Sequence, residues 1–125
     1  MKLYALAWTA FMAASPTAQA QLVEIDWGAQ QRFQKELRLE PGKFVEVCGK
    51  LQRGAEVGWQ FEASAPTDFN LHYHEGKEVR FPAQQNATAR SQGKLDVSID
   101  QDYCWMWSNK GKAGVTLRVE LRKDR

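Results

Sequence analysis

The strongest constraint on the fold is the eight-residue stretch 102–109, DYCWMWSN, near the carboxyl end of the chain. Large aromatic side chains stand at every second position, a pattern typical of a β-strand with one buried face. After a Lys-Gly-Lys turn, residues 115–121 alternate aliphatic and polar side chains with the same period of two. The two stretches together predict a carboxyl-terminal β-hairpin. The first strand would carry aromatic residues on one face and sulfur-containing residues on the other: Tyr103, Trp105 and Trp107 against Cys104 and Met106.

Period-two alternation recurs along the rest of the chain, and no segment gives a convincing helical pattern. Residues 32–39 also fit helical spacing, but the Pro-Gly turn at 41–42 favours a strand that feeds a hairpin. About seven or eight short strands, separated by frequent turn signals, predict an all-β fold: a single antiparallel β-sandwich. The other predicted strands cover residues 22–28 (at an edge), 44–51, 57–63, 68–74, 78–81 and 95–99.

The segments between these strands are rich in turn-forming and polar residues. Residues 75–77 are predicted to form a hairpin turn, and residues 64–67 and 82–93 are predicted to be loops. Within the short strand 78–81, Val79 and Phe81 are predicted to point inward.

The first 20 residues have the pattern of a secretory signal peptide. Lys2 precedes an apolar run over 3–14, and Ala18-Gln19-Ala20 forms an A-x-A cleavage site. The apolar run is shorter than the roughly 20 residues that span a bilayer, although a retained anchor is the alternative. Residues 1–20 are therefore predicted to be a signal peptide and residues 21–125 the domain. The short leader and its cleavage site look bacterial, which predicts a periplasmic or secreted product.

Charge argues against nucleic acid as a partner. The formal net charge is +2, and removal of Lys2 with the leader lowers it to +1, with the charged residues interspersed rather than clustered. A second hydrophobic segment is not present in the sequence, so no stable membrane insertion is expected after cleavage of the signal peptide.

The two cysteines, Cys48 and Cys104, predict one disulfide, because an exported domain of this size commonly contains such a bond. In the chain-entropy model a loop of this length would stabilise the fold by about 4 kcal/mol. The alternative is a pair of free thiols that bind a metal.

Several of these stretches resemble the GOLD (Golgi dynamics) domain family. The resemblance is carried by WQF at 59–61, DFNL at 68–71 and YCWMWSN at 103–109, followed by the strand at 115–121. It covers roughly residues 39–122. It implies a jelly-roll-like β-sandwich and a non-enzymatic protein-interaction role. The sequence lacks the coiled coil and transmembrane helix of the family's cargo receptors, so a role in vesicle traffic is not implied.

The two histidines suggest a metal site. His72 and His74 are two residues apart on one strand face, so both imidazoles could reach one ion. With the soft sulfur of Met106, and of Cys104 if it is reduced, such a set suits copper. The alternative is that the histidines are ordinary solvated residues and Met106 fills a gap in the core.

The aromatic residues offer a second kind of site. They could line a binding surface, or they could fill the sandwich core, which is their more frequent role. The candidates for an exposed binding surface are Trp59, Tyr73, Trp105 and Trp107.

Catalysis is not predicted. The sequence has no G-x-S-x-G nucleophile turn, and the acidic pair Asp100 and Asp102 is better explained as solvating a turn. The sequence therefore predicts an exported non-enzymatic binding module of the bacterial envelope, with an envelope protein or a small ligand as partner and no required cofactor. The alternative is a periplasmic copper-binding protein that uses His72, His74 and Met106.

Overall fold

The computed structural model describes residues 21–124, and the predicted signal peptide over 1–20 lies outside them. Seven β-strands and no helix form this part of the chain, so the predicted all-β class is confirmed. Residues 21–124 accordingly offer no helix of the length and apolarity that crossing a membrane requires. The strands are β1 (Gln21–Glu24), β2 (Arg32–Leu39), β3 (Phe44–Leu51), β4 (Glu56–Glu75), β5 (Glu78–Asp96), β6 (Gln101–Ser108) and β7 (Val115–Lys123).

The strands form one hydrogen-bonded sheet in the order β1-β3-β6-β4-β7-β2, and β5 pairs with β4 outside that path. The pairing of β1 with β3 is parallel, and all the others are antiparallel. The long strand β4 divides the sheet, because its first part pairs with β7 and its second part with β6. We call β1, β3, β6 and the adjoining residues of β4 and β5 (67–75 and 78–88) the disulfide half-sheet. We call β2, β7 and the adjoining residues of β4 and β5 (56–63 and 90–96) the polar half-sheet.

The two half-sheets pack on one another because β4 bends back on itself. The ring centroids of Trp59 and Phe69 lie 5.0 Å apart, although ten residues of straight strand would separate them by about 33 Å. The bend coincides with a shift of pairing register between Glu62 and Thr67. Across the interior, Phe61 contacts Trp107 edge-on at 5.4 Å. The sheet is therefore curled around one core.

The core is filled by the inward residue of each alternating pair, as the period-two patterns predict. Trp105 and Trp107 of β6 are fully buried, and Phe69 and Leu71 of β4 are 1% exposed. Because β6 lies between β3 and β4, it is a central strand, and its aromatic face packs against the opposite half-sheet, as the contact of Trp107 with Phe61 shows. This placement explains why the aromatic alternation is strongest in β6.

The predicted carboxyl-terminal hairpin is wrong. β6 and β7 do not pair with each other; they run one after the other along β4, both antiparallel to it. The Pro-Gly turn at 41–42 is present, with a φ of 75° at Gly42, but β2 and β3 belong to different half-sheets. Alternation identifies strands, whereas their partners depend on contacts between distant parts of the chain.

Two predicted loops are also wrong. Residues 64–67 belong to β4, and residues 82–93 belong to β5. The polar composition of residues 82–93 reflects the exposure of most β5 side chains. The pairing of β4 with β5 is irregular in this region, with shifts of register along it. Near the middle of β5, Ala87 has a φ of 50°, and its N–H donates to a carboxylate oxygen of Asp68 at 2.9 Å. The turn at 75–77 does join β4 to β5, as predicted.

A buried asparagine fixes the connection between β6 and β7. Asn109 is 1% exposed, and its Nδ2 donates to the carbonyl oxygens of Leu39 at 3.0 Å and Ala113 at 2.8 Å. Its Oδ1 accepts a hydrogen bond from the N–H of Gly111 at 2.9 Å. Every polar atom of this side chain is therefore satisfied, which a buried amide requires. The asparagine that ends the aromatic strand thus holds the loop between the two half-sheets.

Gly93 should be required for packing, because Trp59 lies across it. A Cβ atom at Gly93 would stand 2.5 Å from the indole Cζ2 of Trp59. We expect Gly93→Ala to lower the free energy of unfolding by about 1–3 kcal/mol, as overpacking does. The measurement is the midpoint and slope of urea unfolding followed by tryptophan fluorescence. The matched control is Gly58→Ala on the adjacent strand, where the nearest atom to the new Cβ is 4.0 Å away. Equal midpoints for the two variants would contradict this packing.

Candidate functional site

The predicted disulfide is confirmed, and it lies on the outer face of the disulfide half-sheet. Cys48 of β3 and Cys104 of β6 pair directly across the two strands and are bonded, with Cα atoms 4.1 Å apart. On the other side of Cys104, the register places His72 of β4. Since residues at one register level of a sheet point to the same side, the disulfide and the imidazole are outer-face neighbours.

The adjacent register level adds four residues to this outer face. Leu22, Glu46, Met106 and Asn70 succeed one another on β1, β3, β6 and β4. A hydrophobic residue, a carboxylate, a thioether and an amide thus stand beside the row that contains the disulfide. We call this surface the disulfide face; its members include Leu22, Glu24, Glu46, Cys48, Asn70, His72, His74, Val79, Phe81, Asp102, Cys104 and Met106.

All the exposed large hydrophobic residues of the described chain lie on the disulfide face: Leu22 at 68% exposure, Val79 at 40% and Phe81 at 50%. Val79 pairs with His74, which faces outward, and the ring of Phe81 lies 6.1 Å from that of His72. The prediction that Val79 and Phe81 point inward is therefore wrong. They stand near the tip of the β4–β5 hairpin, where they share the face of the histidines.

His72 is buried although it faces outward, because neighbouring side chains cover it. It is 6% exposed; its Nδ1 lies 2.7 Å from Oδ1 of Asn70, and its Nε2 lies 3.4 Å from Oε1 of Glu46. Burial lowers the pKa of His72 below 6.5, the carboxylate of Glu46 opposes that shift, and His74 adds to it. The imidazole is therefore held neutral at neutral pH, with one nitrogen hydrogen-bonded and the other facing a carboxylate.

The residues predicted to bind copper all lie on the disulfide face, but they are not the set whose ligand atoms lie closest together. The rings of His72 and His74 lie 5.5 Å apart, edge to face. Met106 is one register level away from His72, opposite Asn70, and Cys104 is engaged in the disulfide. A closer set consists of Glu46, His72 and Cys104, whose ligand atoms all lie within 4.8 Å of one another. The sequence did not point to Glu46, because only the register of β3 against β6 brings it there.

Three of the four aromatic candidates for a binding surface are core residues. Trp105 and Trp107 are fully buried and Trp59 is 8% exposed, so they form no exposed groove. Tyr73 is half-buried and packs against Tyr103, with ring centroids 4.9 Å apart.

Of the two acidic residues near β6, Asp100 has a structural role. A carboxylate oxygen of Asp100 accepts a hydrogen bond from the backbone N–H of Arg53 at 2.7 Å and so fixes the turn after β3. Asp102 is exposed on the outer side of β6.

The outer face of the polar half-sheet is quite different. It forms an open groove of about 790 Å³ whose charges pair with one another: Arg90 with Glu62 at 2.8 Å, and Arg118 with Glu36 at 3.4 Å. At Glu120, burial raises the pKa, but hydrogen bonds from Gln34 and Gln60 and the charge of Arg32 lower it below 4.5 overall. This face is rich in internally satisfied polar groups and has no exposed large hydrophobic residue among those described.

Comparison with known proteins establishes the fold. No protein-family model matches the chain, and no curated protein matches it in sequence. Among solved structures, PliG of Aeromonas hydrophila, a periplasmic lysozyme inhibitor of g-type lysozyme, has a TM-score of 0.64 at 14% identity, over 85% of this chain and 98% of that one. A mutant of the Escherichia coli PliG, also an inhibitor of g-type lysozyme, has a TM-score of 0.61 at 10% identity, over 85% and 100%. The pre-peptidase C-terminal domain of collagenase from Bacillus anthracis has a TM-score of 0.54 at 11% identity, over 85% and 99%.

The lowered pKa of His72 should make stability depend on pH. The unfolded chain binds a proton at His72 at a higher pH than the folded chain does, so stability present above about pH 6.5 is lost as the pH falls through that value. We expect the free energy of unfolding to decrease between about pH 7.5 and pH 5.5, and His72→Gln to reduce that decrease. The measurement is a series of urea unfolding curves for both proteins. Glu120 acts in a separate, more acidic window, because its pKa lies below 4.5. Parallel pH profiles for the two proteins would contradict the neutral state of His72.

Proposed function

We infer that the protein is an exported, non-enzymatic binding module of the bacterial envelope, and that it binds a protein partner through the disulfide face. The observation that carries this function is the segregation of the exposed large hydrophobic residues. Leu22, Val79 and Phe81 all lie on the disulfide face, whereas the outer face of the polar half-sheet is occupied by paired charges and amides.

The physical basis is the usual division of a protein interface into apolar anchors and a polar surround. Phe81 and Val79 supply apolar area on a rigid, hydrogen-bonded strand pair, so little conformational entropy is lost when they are covered. His74 stands opposite Val79, and Glu46 contacts His72 on the same face, so polar groups that can provide directional contacts are nearby. Arg32, Arg90 and Arg118 of the polar face already have carboxylate partners, so covering that face would remove water from ion pairs that are satisfied without a partner.

We assign the partner to the lysozyme class. The support is the match of this chain to nearly the whole length of periplasmic inhibitors of g-type lysozyme. The GOLD resemblance implies the same kind of role, a β-sandwich that binds protein without catalysis. Export is supported by the leader pattern over 1–20 and by the Cys48–Cys104 disulfide, since such bonds persist in oxidising compartments.

A direct test is binding to g-type lysozyme by surface plasmon resonance, with the lytic rate on bacterial cell walls as a second readout. We expect saturable binding and a decrease in the lytic rate. Phe81→Asp should weaken binding about tenfold or more, because it places a charge at an apolar anchor. The matched control is Gln92→Asp, which adds the same charge to an exposed position of the same strand in the polar half-sheet.

The outcomes separate the partner from the surface. If g-type lysozyme neither binds nor loses activity, the assigned partner is wrong. If it binds and Gln92→Asp weakens binding as much as Phe81→Asp does, the disulfide face is not the docking surface.

The leader makes a separate prediction. When the whole 125-residue sequence is expressed in a Gram-negative host, we expect a periplasmic product that begins at Gln21, because the A-x-A site ends at Ala20. Intact-mass spectrometry of the periplasmic fraction measures this. A product that keeps residues 1–20 in the membrane fraction would instead support a retained anchor.

A further inference from the structure

The centre of the disulfide face holds a cluster of metal-binding groups. One carboxylate oxygen of Glu46, one imidazole nitrogen of His72 and the Sγ atom of Cys104 all lie within 4.8 Å of one another. Cys48 is outside this closest set, but its Sγ atom is bonded to that of Cys104 from the neighbouring strand and supplies a second sulfur. The four residues come from three adjacent strands, so their relative positions are fixed by the hydrogen-bond register of the sheet.

The orientation of His72 is that of a ligand. With Oδ1 of Asn70 as acceptor at 2.7 Å, Nδ1 of His72 is the hydrogen-bond donor, which leaves Nε2 as the nitrogen that can bind a metal. Nε2 lies 3.4 Å from Oε1 of Glu46, so the imidazole nitrogen and the carboxylate oxygen are close enough to bind one ion. A hydrogen bond from the second ring nitrogen to an oxygen is how metal-bound histidines are usually held. Asn70 is therefore a positioning residue for Nε2.

The spacing of His72 and Glu46 suits a tetrahedral ion. Bonds of about 2.0–2.3 Å around a tetrahedral ion place its ligand atoms about 3.3–3.8 Å apart. The separation of Nε2 of His72 from Oε1 of Glu46 already falls within that range at 3.4 Å. The sulfur does not yet fit, because in the disulfide it has no thiolate charge to offer a cation.

We propose that reduction of the Cys48–Cys104 disulfide turns this cluster into a zinc-class metal site with Cys48, Cys104, His72 and Glu46 as ligands. A dithiol reductant supplies the two electrons and two protons: its sulfurs become a disulfide, and each cysteine becomes a thiol. The divalent cation then displaces both thiol protons to solvent and binds two thiolates, one imidazole and one carboxylate. Since the ion binds only the reduced form, it also favours that form over the disulfide.

The ligand set favours Zn²⁺ over Cu(I). A carboxylate is a hard ligand, and two thiolates with an imidazole complete a usual zinc set, whereas Cu(I) prefers sulfur ligands such as Met106. The site therefore differs from the copper set predicted from the sequence: Glu46 and Cys48 take the places of His74 and Met106. It does not depend on the proposed lysozyme partner, and its test uses no partner.

The experiment is a metal titration of the whole purified protein, oxidised or reduced with dithiothreitol and then desalted without oxygen. Zn²⁺ is titrated against a chromophoric chelator, and Co²⁺ serves as an absorption probe for thiolate bonds and tetrahedral geometry. We expect one ion per reduced chain and binding to the oxidised chain about 100-fold weaker or more. His72→Ala should abolish tight binding, and Asn70→Ala should weaken it about 10- to 100-fold. The matched controls, His74→Ala and Met106→Leu, should stay within about twofold of the unmodified protein.

Several results would overturn the proposal: no tight Zn²⁺ binding by the reduced protein, equal binding by the oxidised protein, or a loss in either control as large as that in His72→Ala. Folding of the reduced chain is followed by far-ultraviolet circular dichroism. If reduction alone unfolds the chain, Zn²⁺ should restore the strand signal in the unmodified sequence and fail to do so in His72→Ala. Restoration in both, or in neither, would equally rule out this site.

Discussion

The bend in β4 is the constraint on which the rest of the structure depends. A strand of 20 residues is too long for a small domain unless it turns back, and the register shift between Glu62 and Thr67 lets it do so. The bend brings Trp59 against Phe69 and gives β6 and β7 separate places along one strand. The core therefore closes between the two arms of a single strand pair. The disulfide joins β3 to β6 on the outside and takes no part in that closure.

The sequence predicted the elements of this fold better than their arrangement. Alternating side chains located the central parts of β2, β3, β6 and β7, because one face of each is buried and period-two patterns report burial. The same patterns gave the wrong hairpin at the carboxyl end and broke β4 and β5 into shorter pieces. Strand pairing is decided by contacts between residues far apart in sequence, and a bulged or exposed strand such as β5 has no clean alternation to read.

The site was predictable to the same extent. Two cysteines in an exported domain indicated the disulfide, and the i, i+2 spacing of His72 and His74 indicated a shared face. Glu46 could not be singled out, because it is one of many acidic residues until the register of β3 and β6 places it beside His72. The outward position of Phe81 was missed for a related reason: near a hairpin tip a strand extends past the core, so a hydrophobic residue there need not be covered.

The free edge of β5 has a consequence for how copies of this protein behave at high concentration. Within residues 21–124, β5 pairs with β4 alone, so about every second one of its 19 residues presents unpaired backbone N–H and C=O groups on the other side. Such an edge is a template for fibril-like assembly between molecules. Pro82 lacks an N–H, Ala87 interrupts the extended backbone with its φ of 50°, and Arg80, Arg90 and Lys94 place charged, hydrated side chains along the edge. The irregularity that hid β5 in the sequence is therefore what keeps an exposed strand of this length from seeding aggregation.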